Sequence, residues 1–555
     1  MSSRDLLRGK APRVANSLAA LPLLGALLLA GCDLPRYAPS NDPLGVQEPA
    51  REELLAELAL PPAHRDLRTR SAESAPQAAA LPATETSAAE AAAPSTAAAA
   101  AARARATGSL QLDEVLDSVL QRYPPYLSVL LERDLATGRV QQALGAFDTV
   151  VSGKLGRNFS GYYEATYGQA MLEQPLPSGG SIYGGYRLTR GLLPDYYDSR
   201  TQRGGEIAVG ARLPLLRGLE IDARRLKLRQ EEIDRALADP KIANARIDFV
   251  YAATVAYFEW LAAGQRLRIV RELLALATDR VEGIQRAVER RFLAGIDITD
   301  NERAIVQRRV FVVRAERALE RAALALSLFL RDEDDDPVVP GEERLPPEFP
   351  EAFEPDRSRF RAEAEAALRD RPELREIHLL YDRAKTEEGF AENERLLDLG
   401  LVVDASKNID QSPYADRNEL ELFLGLDVKL PVQRREALGR LQQARTRMER
   451  LRIEGEFARD RVLYELADAL SALETNFVQI EETERSVALA ERMVQAERRA
   501  FELGRSDLLR INVRESDLAS AQALRLDALL EYFKASAAYR AALGRDARPT
   551  EGTER

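Results

Sequence analysis

The side chains best able to do chemistry are few. The 555-residue chain holds one cysteine and two histidines, His64 and His378. Histidines so far apart in sequence support neither a histidine-rich metal site nor a Ser-His triad. The residues do not read as an enzyme and call for no cofactor. The acidic run from Asp332 to Asp336 could suggest calcium, yet it lacks the Gly and terminal Glu of an EF-hand loop and reads as a solvated connector. Cys32 is different. As the only cysteine it can form no intramolecular disulfide, and it closes a characteristic segment. Arg4, Arg8, Lys10 and Arg13 form a basic leader before an apolar run from Leu18 to Ala30. That run is too short and too early for a spanning helix and reads as a signal peptide. It ends in Leu29-Ala30-Gly31-Cys32, the pattern of a bacterial lipobox. The expectation is cleavage before Cys32 and lipidation of its thiol, with each buried methylene adding roughly 0.8 kcal/mol of membrane affinity. The plainer alternative is an export signal with an incidental cysteine.

Bulk properties narrow the class. Apolar residues make up 45% and charged residues 30% of the chain, which suits a folded protein. A net charge of −11 argues against nucleic acid as a partner, because that needs a basic face. A mean hydropathy of −0.31 excludes a polytopic helical membrane protein. It does not exclude a β-barrel, whose strands alternate apolar and polar residues and average out.

Behind the leader (1–31), residues 32–108 read as a lipidated, flexible Ala/Pro-rich tether. Pro35, Pro39, Pro43, Pro61 and Pro62 punctuate its first part, and low-complexity Ala, Ser, Thr and Glu fill the rest. Such sequence buries too little apolar surface to offset its ordering entropy. The folded body falls into two repeats, 109–335 and 336–545, before a disordered tail at 546–555. Arg122-Tyr123-Pro124 matches Arg371-Pro372-Glu373-Leu374, with Pro124 and Pro372 offset by 248 (372 − 124), and Ala143 falls on Ala391 at the same spacing. Pro214 matches Pro431 at 217, and Phe292 and Gly295 match Phe501 and Gly504 at 209. The drop from 248 to 217 leaves about 31 extra residues in the first repeat, between Ala143 and Pro214. A period this long marks a duplicated domain half rather than a solenoid.

Each repeat carries strands. Leu420, Leu422, Leu424, Leu426, Val428 and Leu430 alternate with mostly polar residues, and Leu397, Leu399, Leu401, Val403 and Ala405 do the same upstream. Turn formers Asp410, Ser412 and Pro413 lie between, so a hairpin is expected. The alternation fits both a membrane barrel, with lipid on one side and a wet lumen on the other, and a hairpin on a soluble core. In the first repeat Ile207, Val209, Ala211 and Leu213 alternate likewise, with a partner strand expected from Asp148. The extra residues between them hold Tyr162, Tyr163, Tyr167, Tyr183, Tyr186, Tyr196 and Tyr197. They fit a membrane-interface girdle or an extracellular loop packed by its own tyrosines, and Gly179-Gly180 with Gly184-Gly185 suggest an added hairpin.

The remainder reads as helix. From Pro214 to Phe292 only Pro240 interrupts a path of roughly 100–120 Å. Val255, Phe258 and Leu261, or Leu526, Leu529, Phe533 and Ala537, recur at three- and four-residue spacing, as in helices that pack as coiled coils. Two helix turns share a glycine that suits a left-handed helix end and an Asp or Ser able to cap the next helix. They are Phe292-Leu293-Ala294-Gly295-Ile296-Asp297 and Phe501-Glu502-Leu503-Gly504-Arg505-Ser506-Asp507.

In this order, the duplication, the Arg-x-Pro opening, Leu-Pro-Leu-Leu-Arg-Gly at 213–218, the glycine tips and the closing Ala541-Ala542-Leu543-Gly544 resemble the TolC-like outer membrane efflux protein family, over residues 110 to 545. The resemblance implies a mainly α fold with a membrane β-barrel, long helical hairpins and about four strands per protomer. Three protomers would share one barrel of twelve strands and one tunnel of twelve helical strands. It also implies an outer-membrane, lipid-anchored homotrimer that acts as the exit duct for a periplasmic adaptor and an inner-membrane pump. Adaptor contacts carry over to Gly295, Ile296, Asp297, Gly504, Arg505 and Ser506. Gate candidates are Phe501, Glu502, Arg505 and Asp507, with Phe501 standing where the family often has Tyr. A ring of three aspartates at Asp507 would favour cations and hold the entrance shut through arginine. The alternative is a periplasmic coiled-coil adaptor or structural lipoprotein at the inner membrane. Asp33 favours it, because an aspartate just after the cysteine tends to retain enterobacterial lipoproteins there.

Overall fold

The computed structural model describes residues 108–160, 164–191, 201–410 and 419–545. Cys32, the leader, the tether and the tail lie outside the described residues, as do Tyr162, Tyr163, Tyr196 and Tyr197. The chain divides into two compact units.

One unit comprises Ala143–Arg229 and Gly389–Gly439 and holds the strands. These are β1 (Val150–Arg157), β2 (Ala165–Pro175), β3 (Ser181–Gly191), β4 (Glu206–Pro214), β5 (Asp398–Asn408) and β6 (Glu421–Lys429). They form a six-stranded antiparallel sheet in sequence order, β1 to β6. Six strands replace the expected four because the extra residues of the first repeat fold into the β2–β3 hairpin. Its turn is built on Gly179 and Gly180, at φ +99° and +81°. A Cβ on Gly180 would lie 2.1 Å from the Arg212 carbonyl oxygen, so no other residue fits there. Gly184 and Gly185, by contrast, sit within β3 opposite Leu172 and Met171, not in a turn. Tyr167, Tyr183 and Tyr186 are thus strand residues and not a loop cluster.

The second unit is helical. It takes in α1 (Leu112–Arg122), α2 (Pro124–Leu130), most of α3 (Glu132–Leu144) and of α4 (Ala223–Asp279), α5 (Val281–Glu289), α6 (Ile296–Leu326), α7 (Phe360–Asp370), most of α8 (Pro372–Asn393) and of α9 (Arg435–Glu502), and α10 (Leu508–Ala542). Pro124 and Pro372 each open a helix, where the missing N–H is one that would be unpaired anyway. Helix α4 runs unbroken through Pro240, while α9 continues for 68 residues, roughly 100 Å. The main core gathers Val115, Leu116 and Val119 of α1, Phe258, Trp260 and Leu261 of α4, Leu319 and Leu326 of α6, and Leu529 and Phe533 of α10. Phe258 and Phe533 stack at 4.5 Å between ring centres, and Phe349 from the α6–α7 connector joins them. Packing at this level is broader than the narrow coiled-coil seam expected from periodicity. The connector fills it out with Leu330 and Leu345. Its acidic run is a turn in which Asp332 Oδ1 accepts from the Asp334 and Asp336 amides.

Candidate functional site: a two-faced sheet and two helical tips

Register sorts the sheet's side chains onto two faces of opposite character. One face carries Val151 and Leu155 of β1, Ala170 and Leu172 of β2, Ile182 and Leu188 of β3, Ile207, Val209 and Leu213 of β4, Leu399, Leu401 and Val403 of β5, and Leu422, Leu424, Leu426 and Val428 of β6. Charge appears on it only towards one end, at Arg157, Arg190 and Lys407. These apolar side chains lie bare in the single chain: Leu155 is 89% and Leu424 73% exposed. Water tolerates isolated apolar residues but not a continuous apolar sheet face.

The other face is polar across its width. It presents Lys154, Gln169, Glu173, Arg187, Glu206, Arg212, Asp398, Asp404, Asp427 and Lys429. Arg187 pairs with Glu206, whose side chain is 3% exposed. Tyr183 donates its hydroxyl to Asp404, and the Arg212 guanidinium lies 4.8 Å from the Tyr183 ring centre. Such a face cannot form a dry protein core, because the charges would lose water without full compensation. A sheet with one bare apolar face and one charged face suits lipid on one side and water on the other.

The helical tips form the second part of the site. At the second tip α9 ends at Glu502 and Gly504 turns left-handed at φ +69°. The Gly504 amide donates to the Phe501 carbonyl and the Arg505 amide to Ala500. Asp507 then caps α10, its side chain accepting from the Arg510 amide at 2.8 Å. Ser506 donates to Glu497.

At the first tip the same hydrogen bonds recur, but the left-handed residue is Arg291, at φ +62°. The Arg291 amide donates to Val288 and the Phe292 amide to Ala287. Gly295 is not left-handed. It sits at φ −56° as the residue before α6, while the Asp297 side chain accepts from the Ala294 amide at 2.9 Å. The tips therefore correspond at an offset of 213 (504 − 291) and not 209. The match of Phe292 and Gly295 with Phe501 and Gly504 is fortuitous. The tip residues singled out from sequence cluster by tip, at two helix ends. Glu502, Arg505 and Asp507 are exposed and Phe501 is half-buried. Phe292, Ile296, Leu503 and Leu509 are exposed by between 63% and 80%. Of these only Ile296 was expected as a contact residue, and the exposed apolar character of the other three was the signal for them.

A further cluster lies beside the tips. Glu515 of α10 is 2% exposed and meets three arginines: Arg308 of α6 at 3.3 Å, Arg498 of α9 at 3.1 Å, and Arg280 between α4 and α5. Arg308 also donates to the Leu273 carbonyl at 2.6 Å. Burial depresses the Arg308 guanidinium below its ordinary value, and Arg280 adds to this against the pull of Glu515. No group of side chains able to hold a metal ion occurs among the described residues.

No family model and no curated protein matches the sequence. Solved structures do. The outer-membrane channel OprN is 14% identical at a TM-score of 0.58, over 79% of this chain and 91% of OprN. The open-state MtrE channel of Neisseria gonorrhoeae is 15% identical at 0.56, over 79% and 89%. VceC of Vibrio cholerae is 15% identical at 0.55, over 79% and 97%. The chain has the TolC-like outer-membrane channel fold. No helix among the described residues is long and apolar enough to cross a membrane.

Proposed function

We propose that the chain is a lipid-anchored outer-membrane channel that assembles as a homotrimer and forms the exit duct of a tripartite efflux or secretion system. The observation that carries this reading is the sheet. Its apolar face suits lipid and its charged face suits water, and in a bilayer a closed barrel satisfies both. Cys32 carries the lipid that tethers the chain to outer-membrane lipid. The helical tips, with their exposed apolar residues beside Gly295, Asp297, Gly504, Arg505 and Ser506, meet a periplasmic adaptor, and an inner-membrane pump supplies the cargo. Chemistry is left to that pump: the chain itself is a conduit and not an enzyme.

Two measurements test this. The chain is expected to sediment with porins in density fractionation of membranes and to run as a heat-modifiable trimer in detergent. A monomer in the inner-membrane fraction would favour the adaptor reading instead. The gate is tested at Asp507. Since Asp507 also caps α10, Asp507→Ala would combine loss of charge with loss of about 1 kcal/mol of capping. Asp507→Asn keeps the cap and removes only the charge. It is expected to raise single-channel conductance in planar bilayers, and an unchanged conductance would remove Asp507 from the gate.

A further inference from the structure

The edges of the sheet carry an inference about how copies meet. Among the described residues, strands β1 and β6 each have a neighbour on one side only, so each presents a row of backbone N–H and C=O groups unpaired within the sheet. The same two strands bear the most exposed apolar side chains of the sheet, Leu155 on β1 and Leu424 on β6. An open edge is not tolerated in hydrocarbon, where each unpaired backbone group costs several kcal/mol. The even number of strands makes β1 and β6 run in opposite directions, so β6 of one copy can continue the antiparallel order onto β1 of another. Val151 and Leu155 lie on the same face as Leu424, so this pairing also continues the apolar face without a break.

We infer that β6 of each copy pairs with β1 of the next and that three copies close an eighteen-stranded barrel, rather than the twelve-stranded one expected from the resemblance. This rests on the trimeric reading above. With strands about 4.8 Å apart and tilted about 40°, eighteen strands give a barrel about 36 Å across, against about 24 Å for twelve. The β2–β3 hairpin is what widens it. That hairpin adds Gln169, Glu173 and Arg187 to the wet face, so the extra circumference is polar and suits bulky hydrated solutes.

Cross-linking of the full-length chain in outer-membrane vesicles tests the pairing. Leu424→Cys is combined either with Val151→Cys, Gly153→Cys or Leu155→Cys on β1, or with Ile182→Cys, Gly184→Cys or Leu188→Cys on β3. All these positions share one face. Directly opposed residues in antiparallel strands have Cα atoms about 4.5–5.5 Å apart, within disulfide reach. Oxidation is expected to join chains through at least one β6–β1 pair and through none of the β6–β3 pairs, because β3 is already paired on both edges within its own chain. Cross-links from β6 to β3 would mean that β1 and β2 are excluded from a twelve-stranded barrel, and would overturn the inference. So would the absence of every β6–β1 cross-link in a preparation that native mass spectrometry shows to be trimeric. If mass spectrometry finds no trimer, the functional reading fails first and this inference with it.

Discussion

Glu515→Ala is expected to cost about 3–5 kcal/mol of stability in the helical unit. The reason is an imbalance of charge. One buried carboxylate faces Arg280, Arg308 and Arg498, and Arg308 is only 5% exposed. Removing Glu515 leaves that guanidinium desolvated with only the Leu273 carbonyl and the Asn512 side chain to accept from it. Arg280 cannot absorb the loss, because a guanidinium only donates, and one of its own buried nitrogens already lacks a hydrogen-bond partner. Glu515→Gln keeps the shape and one acceptor, and should fall between wild type and alanine. Arg498→Ala should cost well under these values, because that arginine is 42% exposed and water screens it. Denaturant unfolding followed by circular dichroism checks all three. A Glu515→Ala midpoint equal to wild type would mean that the four charges are solvated together and not buried.

This cluster also shows what the sequence could not convey. In a chain with 30% charged residues, Glu515 looks like any exposed glutamate on a helix. Its burial becomes visible only once Arg280, 235 residues away, is brought beside it. Strands β4, β5 and β6 were legible because period-two alternation is local and uninterrupted. The β2–β3 hairpin was only half legible. Gly168 and Gly184 interrupt its apolar face, while tyrosines sit on both faces, so alternation weakens just where the fold departs from two strands per repeat. The second tip was readable because Gly504 is the residue a left-handed position favours. The first was misread because an arginine occupies the same position. A left-handed Arg291 costs on the order of 1 kcal/mol and leaves no mark in sequence. The nearby Gly295 then drew the alignment four residues off.

The sharpest separation between lipid and protein as the cover for the apolar face comes from β6. Leu424→Arg is expected to cost about 2–4 kcal/mol of folding in a bilayer, the penalty for a cation near the bilayer midplane on a barrel's lipid face. Asp427→Arg, three residues along and on the opposite face, should leave assembly intact and alter only ion selectivity, because its side chain meets water. Loss of folding at Leu424 alone would also follow if another protein surface covered the face, so a second readout is needed. Leu424→Trp should be quenched by brominated lipid tails, and Phe423→Trp, on the charged face, should not. Trp260 is the chain's only native tryptophan and is fully buried in the helical core, so it supplies a constant background. Equal quenching at both positions would deny the sheet two distinct environments. Quenching at neither would mean that protein, not lipid, lies against Leu424. Quenching at Leu424 alone ties the period-two pattern of β6 directly to a bilayer, because no aqueous partner brings bromine to that side chain.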